Sequence, residues 1–553
     1  MSIPAATPAS TTPSAGGAQP RVPHNRWDEI QVPTIGAWTP TKSVSVVVPA
    51  FNDHEELPRT LAALGAQSYP AELMEIVVVD DGSEPALDVP DRAGAVPVRV
   101  IRQSNEGFGA GKARSTGGYA ASGEVLLFID ADIVVDAAHV EAHARWHHVI
   151  DHAVTLGFRS FVEFSGVTAD DVRDALAGDG LDAVLGEREQ QEHEWIEKLL
   201  AETDHLRRPR GDLWRIAVGS SISVPAWLFR EVGGFPVFGI RGTEDTTFGY
   251  RLFTQGAVFV PDREARSWHQ GARYLSDENS KQAAMHARLP VMANHVPAPN
   301  YRKAKAGRSY TVPYLAIEVP VRADEVSEQQ ALACVESLLA GDTADAAIGL
   351  TGPPGDPVLA RLALWTEGQE RVEVTTPSEW WARHLFTPFR VTVPPHVHAG
   401  RGALNRIRER LAHHEIGALH IVIDGLDPRT RAVEAVSVRA LRRAHRLADD
   451  PTQVPALVGE LFDEEWATGE EFEFGTDPVP VTPVLRTGRY RGLGPEEITE
   501  RLSSTEDALA RLRRRRAVVI SDAVGRLLRA RSPRAIATAL RGLGRAVLGR
   551  PAR

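Results

Sequence analysis

The apolar run Val125-Leu126-Leu127-Phe128-Ile129, which ends directly in Asp130-Ala131-Asp132, constrains this chain more than any other stretch. Five large apolar residues without alternation describe a strand buried on both faces, the kind found in parallel sheets covered by helices. Such a strand delivers the residues after it to the carboxyl edge of the sheet, where open α/β folds bind ligands. There, two carboxylates two residues apart can present oxygens to one hard divalent cation, leaving coordination positions for water and a diphosphate. A strand ending in a polar turn is the other reading, and a lone Asp-x-Asp does not separate the two.

Two further runs share the form. Val44-Ser45-Val46-Val47-Val48-Pro49 is followed by Leu57, Leu61 and Leu64 at helical spacing, and then by Ile76-Val77-Val78-Val79-Asp80-Asp81-Gly82-Ser83. Strand, helix and strand within about forty residues predict a right-handed βαβ unit with parallel strands. A third element, Val98-Arg99-Val100-Ile101, precedes Asn105-Glu106-Gly107-Phe108-Gly109-Ala110-Gly111-Lys112-Ala113-Arg114. Alternate glycines before a helix permit close backbone approach, and a helix N-terminus carrying Lys112 and Arg114 suits an anion. The spacing is neither that of a Walker loop nor that of the dinucleotide fingerprint, so ATP hydrolysis and NAD binding are disfavoured.

Taken together, Val46 to Asn52, Val77 to Ser83, the glycine segment 105–114 and Phe128-Ile129-Asp130-Ala131-Asp132 resemble, in order and spacing, a family 2 glycosyltransferase of the GT-A fold. The resemblance covers about residues 43 to 290, close to half the chain. It implies a mixed α/β sheet with flanking helices and a nucleotide sugar, UDP-linked first, held by Pro49, Phe51, Asp80, Asp81, Asn105, Gly109, Lys112, Asp130 and Ala131. Asp80 and Asp81 then lie near the base and ribose. Asp130 and Asp132 hold Mn2+ or Mg2+ on the diphosphate.

Residues 154–215 read as an insert with acidic helical stretches around 170–176 and 187–206. After it, Leu213-Trp214-Arg215, Val232-Gly233-Gly234-Phe235 and Gly242-Thr243-Glu244-Asp245 resemble the acceptor side of the same family. That assigns the general base to Asp245 and acceptor contacts to Glu244 and Trp214. A sugar hydroxyl is a poor nucleophile until a carboxylate takes its proton, which supports the assignment; an acidic pair stabilising a helix N-terminus is the competing reading. His269, in Ala265-Arg266-Ser267-Trp268-His269, matches a position where related transferases offer an imidazole to the metal, and a structural histidine is the alternative.

The implied activity is transfer of a sugar from a nucleotide diphosphate to an acceptor hydroxyl, with inversion by direct displacement. The acceptor is expected to be a carbohydrate, a glycosylated lipid or a natural product. A sugar nucleotidyltransferase would carry a basic glycine-rich loop after its first strand, whereas this chain has the acidic Ala50-Phe51-Asn52-Asp53-His54-Glu55-Glu56. A carbohydrate-binding or scaffold protein without activity is the third reading. It leaves unexplained why carboxylates for metal, nucleotide and base are all present.

At 553 residues, more than one domain is expected. The boundaries predicted are a disordered leader over 1–42 with Trp27 and Ile30 docking on the body, a catalytic GT-A domain over 43–300, a second α/β domain over 313–480, and a basic helical tail over 495–553. The second domain reads as a degenerate copy of the first, with strands at Ile317, Ala347, Val391 and Ile421 answering to those at Val46, Val77, Val98 and Leu127. In that alignment Thr351-Gly352 replaces Asp80-Asp81, and Leu426 replaces Asp132. Packing, a homodimer contact or acceptor positioning is what such a copy would serve.

One cysteine, Cys334, in an apolar helical pattern, excludes internal disulfides and thiolate metal cages. With no apolar run of the length a membrane helix needs, a cytoplasmic protein is expected. From Arg511 to Arg553 thirteen arginines face one acid, leaving a net charge of -23 for the rest of a chain that totals -11. Ile536, Leu540, Leu543 and Val547 share one helical face there. This pattern suits peripheral contact with the anionic inner face of a membrane, or packing on an acidic body. Nucleic acid is disfavoured, because the tail has no aromatic residue for stacking.

Overall fold

In the computed structural model, which describes residues 19–271, 278–302, 308–424 and 432–476, the three apolar runs are adjacent strands of one sheet. Its nine strands are β1 (Val44–Ala50), β2 (Met74–Asp80), β3 (Arg92–Ala93), β4 (Val96–Arg102), β5 (Val125–Ile129), β6 (Ile133–Val135), β7 (Ala153–Val162), β8 (Ser221–Pro225) and β9 (Val258–Gln270). They are arranged in the order β3-β4-β2-β1-β5-β8-β7-β9-β6. β1 pairs in parallel with both β2 and β5, and β4 is parallel to β2. Every residue of β1 and β5 is buried, as expected of strands covered on both faces. Because all four strands run the same way, the ends of β1, β2 and β5 and the loop after β4 reach one edge.

Helices α1 (Glu56–Gly65) and α2 (Ala110–Ala120) follow β1 and β4, and α3 (His139–His147) follows β6. The 154–215 region differs from its reading as an insert. Its first part is β7, parallel to β9 along most of its length, and it escaped notice because Gly157, Arg159 and Ser160 interrupt the apolar pattern where the strand is only half-buried. Helices α4 (Ala169–Ala177), α5 (Leu181–Leu185) and α6 (Glu194–Glu202) come next. They are followed by α7 (Ala226–Glu231) and α8 (Thr243–Thr254).

Disorder is not what residues 19–42 show, which corrects the expected leader boundary. Val22, Trp27 and Ile30 pack with Trp146, Ile150 and Val258. Asn25 is fully buried, its amide donating to the Phe259 carbonyl and accepting from the Phe259 N–H, both at 2.9 Å. A side-chain amide that mimics a strand partner fixes this segment without a long apolar run, which is why composition missed it.

The second sheet comprises β10 (Leu315–Pro320), β11 (Ala346–Thr351), β12 (Val372–Thr375), β13 (Phe389–Thr392), β15 (Ala418–Val422), β16 (Val433–Ser437) and β17 (Glu464–Thr468); the short β14 (His398–Ala399) pairs instead with β18 (Phe474–Gly475). The order is β12-β11-β10-β13-β16-β15-β17. Seven strands of the first sheet, β4-β2-β1-β5-β8-β7-β9, have the same sequence of directions: three parallel pairs, two antiparallel pairs, one parallel pair. The strand correspondence expected from sequence is corrected at two places. β12 takes the position of β4, and β13, with Val391, takes the position of β5 rather than that of β4. Ile421 lies in β15, which answers to β7. The cause is β12 itself, four half-buried residues too short to register as a strand. Cys334 is buried in the core of this domain, as its pattern predicts.

Arg443 joins the parts. Its buried guanidinium donates to the carbonyls of Gly256, Ala257, Val22 and His24, so one side chain of the second domain ties the N-terminal segment to the first sheet. The basic tail and Leu426 lie outside the described residues. Among those described, no helix is long and apolar enough to cross a membrane.

Candidate active site

Asp130 and Asp132 flank the turn that leaves β5, with Ala131 buried between them and its carbonyl accepting from Thr60 Oγ1 at 2.7 Å. β9 runs antiparallel to β6 with His269 opposite Ile133, which brings the imidazole back over this turn. His269 Nε2 lies 3.2 Å from Asp132 Oδ2. Burial disfavours both charges, but the bond and the mutual attraction outweigh it, holding Asp132 below and His269 above its usual range. Asp132 Oδ1 and His269 Nδ1 are buried without partners, leaving two ligating atoms for a group that the donor set would suit. Among the described residues no three His, Cys, Asp or Glu side chains form a ready-made metal cage.

Arg114 is the residue whose role the sequence understated. It is buried on α2 and donates from Nη2 to Asp130 Oδ1 at 2.6 Å and from Nη1 to Asp245 Oδ1 at 3.2 Å. Instead of facing an anion, it joins the carboxylate after β5 to the one at the start of α8. Lys112 is also paired, with Glu106 at 3.1 Å. Asp245 is raised above its usual range by burial, while Arg114 and the Gly219 N–H act in the opposite sense. Beside it, Glu244 is pushed to about 7 by burial and by the charge of Asp245, and its Oε2 has no partner. Two acids side by side at a helix start favour one shared charge.

The glycine segment is explained by these contacts. A Cβ on Gly109 would meet Asp81 Oδ2 at 2.0 Å, and one on Gly111 would meet Glu244 Cβ at 2.9 Å. Asp81 accepts from Gln103 Nε2 at 2.6 Å, and Asp80 is turned inward to accept the Ser83 N–H at 2.8 Å. Asp80 thus braces the Gly82-Ser83 turn with one oxygen. Asn105 accepts the Gly107 N–H at 3.0 Å, Phe51 is exposed, and Pro49 is buried in β1. Asp53 belongs here too, although no pattern singled it out. Burial first, then the charges of Asp132, Glu56 and Asp130, push it to about 7 against the Phe51 N–H that it accepts. The only sequence signal was the acidity of the loop after β1.

Trp214 does not reach this edge. It is buried, donates from Nε1 to the Gly211 carbonyl at 2.9 Å and packs near Tyr250 and Tyr301. Its indole lines a cavity at the other end of α8 instead of the cleft where Glu244 and Asp245 stand.

One sheet edge of an α/β fold thus gathers Asp53, Asp130, Asp132, His269, Arg114, Glu244 and Asp245 around a glycine-rich turn. Residues 45–206 match the glycosyl transferase family 2 model, and the N-terminal region of this chain is a family 2 glycosyltransferase domain. Similar proteins include the chondroitin synthase of Escherichia coli, 26% identical over 54% of this chain and 44% of that protein. The hyaluronan synthase of Pasteurella multocida is 26% identical over 50% of this chain and 30% of that protein. The validoxylamine A glucosyltransferase of Streptomyces hygroscopicus subsp. limoneus is 28% identical over 43% of this chain and 53% of that one. The chain therefore spans about half, or less, of the length of these relatives. Among solved structures, a mannosyltransferase from Pyrobaculum calidifontis, in complex with GDP-Man and Mn2+, is similar at 17% identity and a TM-score of 0.30, covering 47% of this chain and 63% of that one.

Proposed function

We propose that residues 43–300 transfer a sugar from a nucleoside diphosphate, UDP first, to the hydroxyl of a carbohydrate acceptor, with inversion at the anomeric carbon. The observation that carries this reading is the convergence of Asp132 with His269 and of Asp130 with Arg114 and Asp245 at one sheet edge. The relatives named for chondroitin and hyaluronan synthesis support a carbohydrate acceptor.

In this mechanism Asp132, His269 and Asp130 would hold a divalent cation, Mn2+ or Mg2+, through the free Asp132 Oδ1 and His269 Nδ1. When bound, the ion neutralises charge that builds on the departing diphosphate. Asp245 takes the proton of the acceptor hydroxyl as that oxygen attacks the anomeric carbon, and its raised affinity for a proton suits the task. Arg114 orients Asp245 and keeps it apart from Asp130. The glycine turn lets α2 approach Asp81 and Glu244, closing one side of the cleft. The tail over 511–553 would add peripheral membrane contact, a role supported by its arginines alone.

Glu244 is a second candidate for the base, favoured by its unpartnered Oε2 and its affinity near pH 7. Asp245→Asn and Glu244→Gln separate the two. Asp245→Asn is expected to lower transfer by ~10² or more while leaving donor binding intact, the scale of a lost general base. If Glu244→Gln instead carries that loss, and Asp245→Asn weakens donor binding without changing turnover, the roles exchange.

A further inference from the structure

Residues 210–215, the end of α8 and the segment 297–301 enclose, with residues of the second domain, a cavity of about 410 Å³ that none of the proposed chemistry uses. It lies at the C-terminal end of α8, whose first turn carries Asp245. Eight residues, from Asp245 to Phe253, separate the two sites by roughly 12 Å along the helix. Its apolar walls are aromatic, formed by Trp214, Tyr250, Phe253 and Tyr301 from the first domain and Tyr314 and Phe389 from the second. Domain interfaces with apolar walls and a few convergent polar groups are where small ligands bind, and the volume falls in the usual range.

The polar groups identify the ligand class. Arg210 and Arg215 both pair with Asp212, at 2.6 and 3.1 Å, and Arg439 pairs with Glu415 at 3.2 Å. Arg210 also pairs with Glu202 at 3.2 Å, so three guanidinium groups face three carboxylates and the cavity has no spare charge for a phosphate. A lipid chain would bury these ion pairs without replacing their water. Glu415 ends the helix Ala403–His414 in a left-handed conformation, with φ 54°. A Cβ on Gly211 would come within 2.8 Å of its Oε1. Arg439 is buried with an unpartnered Nε, its guanidinium 4.0 Å from the centre of the Phe253 ring. Flat aromatic walls accept the C–H faces of a pyranose, and planar carboxylate and guanidinium groups accept and donate to its ring hydroxyls.

We infer that the cavity between Trp214, Phe253, Phe389 and the Glu415–Arg439 pair is a binding site for an uncharged saccharide of one or two rings. Resting on the reading of this chain as a carbohydrate-modifying transferase, it holds sugar residues of the acceptor away from the bond being made. The shared helix α8, and the segment from Trp214 to Gly219 that reaches Asp245, connect the two places.

Binding is measured on the full chain in chelator and without nucleotide, so that it does not depend on transfer. Glucose, galactose, N-acetylglucosamine, cellobiose, chitobiose and lactose are titrated by saturation-transfer NMR and calorimetry. Ala412→Trp fills the cavity from the helix 403–414, and Glu415→Gln keeps its shape. At least one sugar is expected to bind the natural chain, about tenfold or more weakly to each of these variants, and equally well to Asp245→Asn. Should Ala412→Trp fail to fold, Glu415→Gln alone carries the comparison. No binding by any of the six sugars overturns the inference, as does binding that Asp245→Asn abolishes and the cavity variants retain.

Discussion

Arg114 sits where three requirements meet: it is buried, it carries a charge, and it touches two carboxylates from different elements. A buried ion pair adds little to stability beyond an apolar substitute, but removing one partner leaves charge uncompensated. Arg114→Met is therefore expected to destabilise the chain by about 3–5 kcal/mol in urea unfolding, with Arg114→Lys recovering part of the loss. Equal midpoints for Arg114→Met and the natural chain would show that Asp130 and Asp245 do not depend on it. The sequence made the carboxylates legible because each ends an apolar run or opens a helix. It could not show that Arg114 joins them, since residues 114, 130 and 245 meet only after the sheet forms. Asp53 was illegible for the same reason, and no pattern showed that Trp214 faces a cavity at the far end of α8 from Asp245.

At the scale of elements, α3 and β8 hold a chain of neutral histidines behind the carboxyl edge of the sheet. His139 Nδ1 donates to the Arg266 carbonyl at 2.8 Å, since a carbonyl only accepts. Ser221 Oγ must then donate to His139 Nε2 and accept from His143 Nε2, both at 3.1 Å. Ser223 repeats the pattern, donating to His143 Nδ1 at 2.9 Å and accepting from His147 Nε2 at 2.8 Å. Every tautomer is fixed by that first carbonyl.

Burial lowers all three, to about 4 for His139 and about 3 for His147, with Asp262 opposing the shift at His139, and Lys42 and His148 adding to it at His147. The unfolded chain takes up these protons near pH 6.5 and the folded chain does not. Stability is thus complete above that pH and falls with acidification, by on the order of 3 kcal/mol for His139 alone by pH 4. Urea midpoints at pH 7.5, 6, 5 and 4 should fall steeply, and less so for His143→Gln. Parallel curves would remove the histidine chain as the cause. The i, i+4, i+8 spacing of these histidines was visible in the sequence, but their serine partners on β8 were not.

For the whole molecule, the second sheet has the order and directions of seven strands of the first, while different residues stand at the matching positions of its carboxyl edge. Thr351 stands opposite Pro320 as Asp80 stands opposite Ala50. After β13, which takes the place of β5, the chain reads Val393-Pro394-Pro395-His396 where the first domain has its aspartates. The strand, helix and strand that open the second sheet were legible from spacing, because an apolar run, a helical pattern and a second run follow one another there. The register of its later strands was not, because β12 is four residues long and a helix, Pro377–Arg383, intervenes before β13. Asp424 follows β15, which answers to β7 and not to the β5 end that carries Asp130 and Asp132. Asp424→Asn should leave turnover nearly unchanged, measured as nucleoside diphosphate released from a donor sugar. A large loss would place chemistry in the second domain.

Metal-dependent transfer at one sheet edge of the first domain is tested most directly by nucleoside diphosphate release from a panel of nucleotide sugars. The assay compares the natural chain with Asp132→Asn in Mn2+, in Mg2+ and in chelator. Turnover that requires the metal, returns when it is restored and is absent in folded Asp132→Asn is the predicted result. Full turnover in chelator, or by Asp132→Asn, would contradict it.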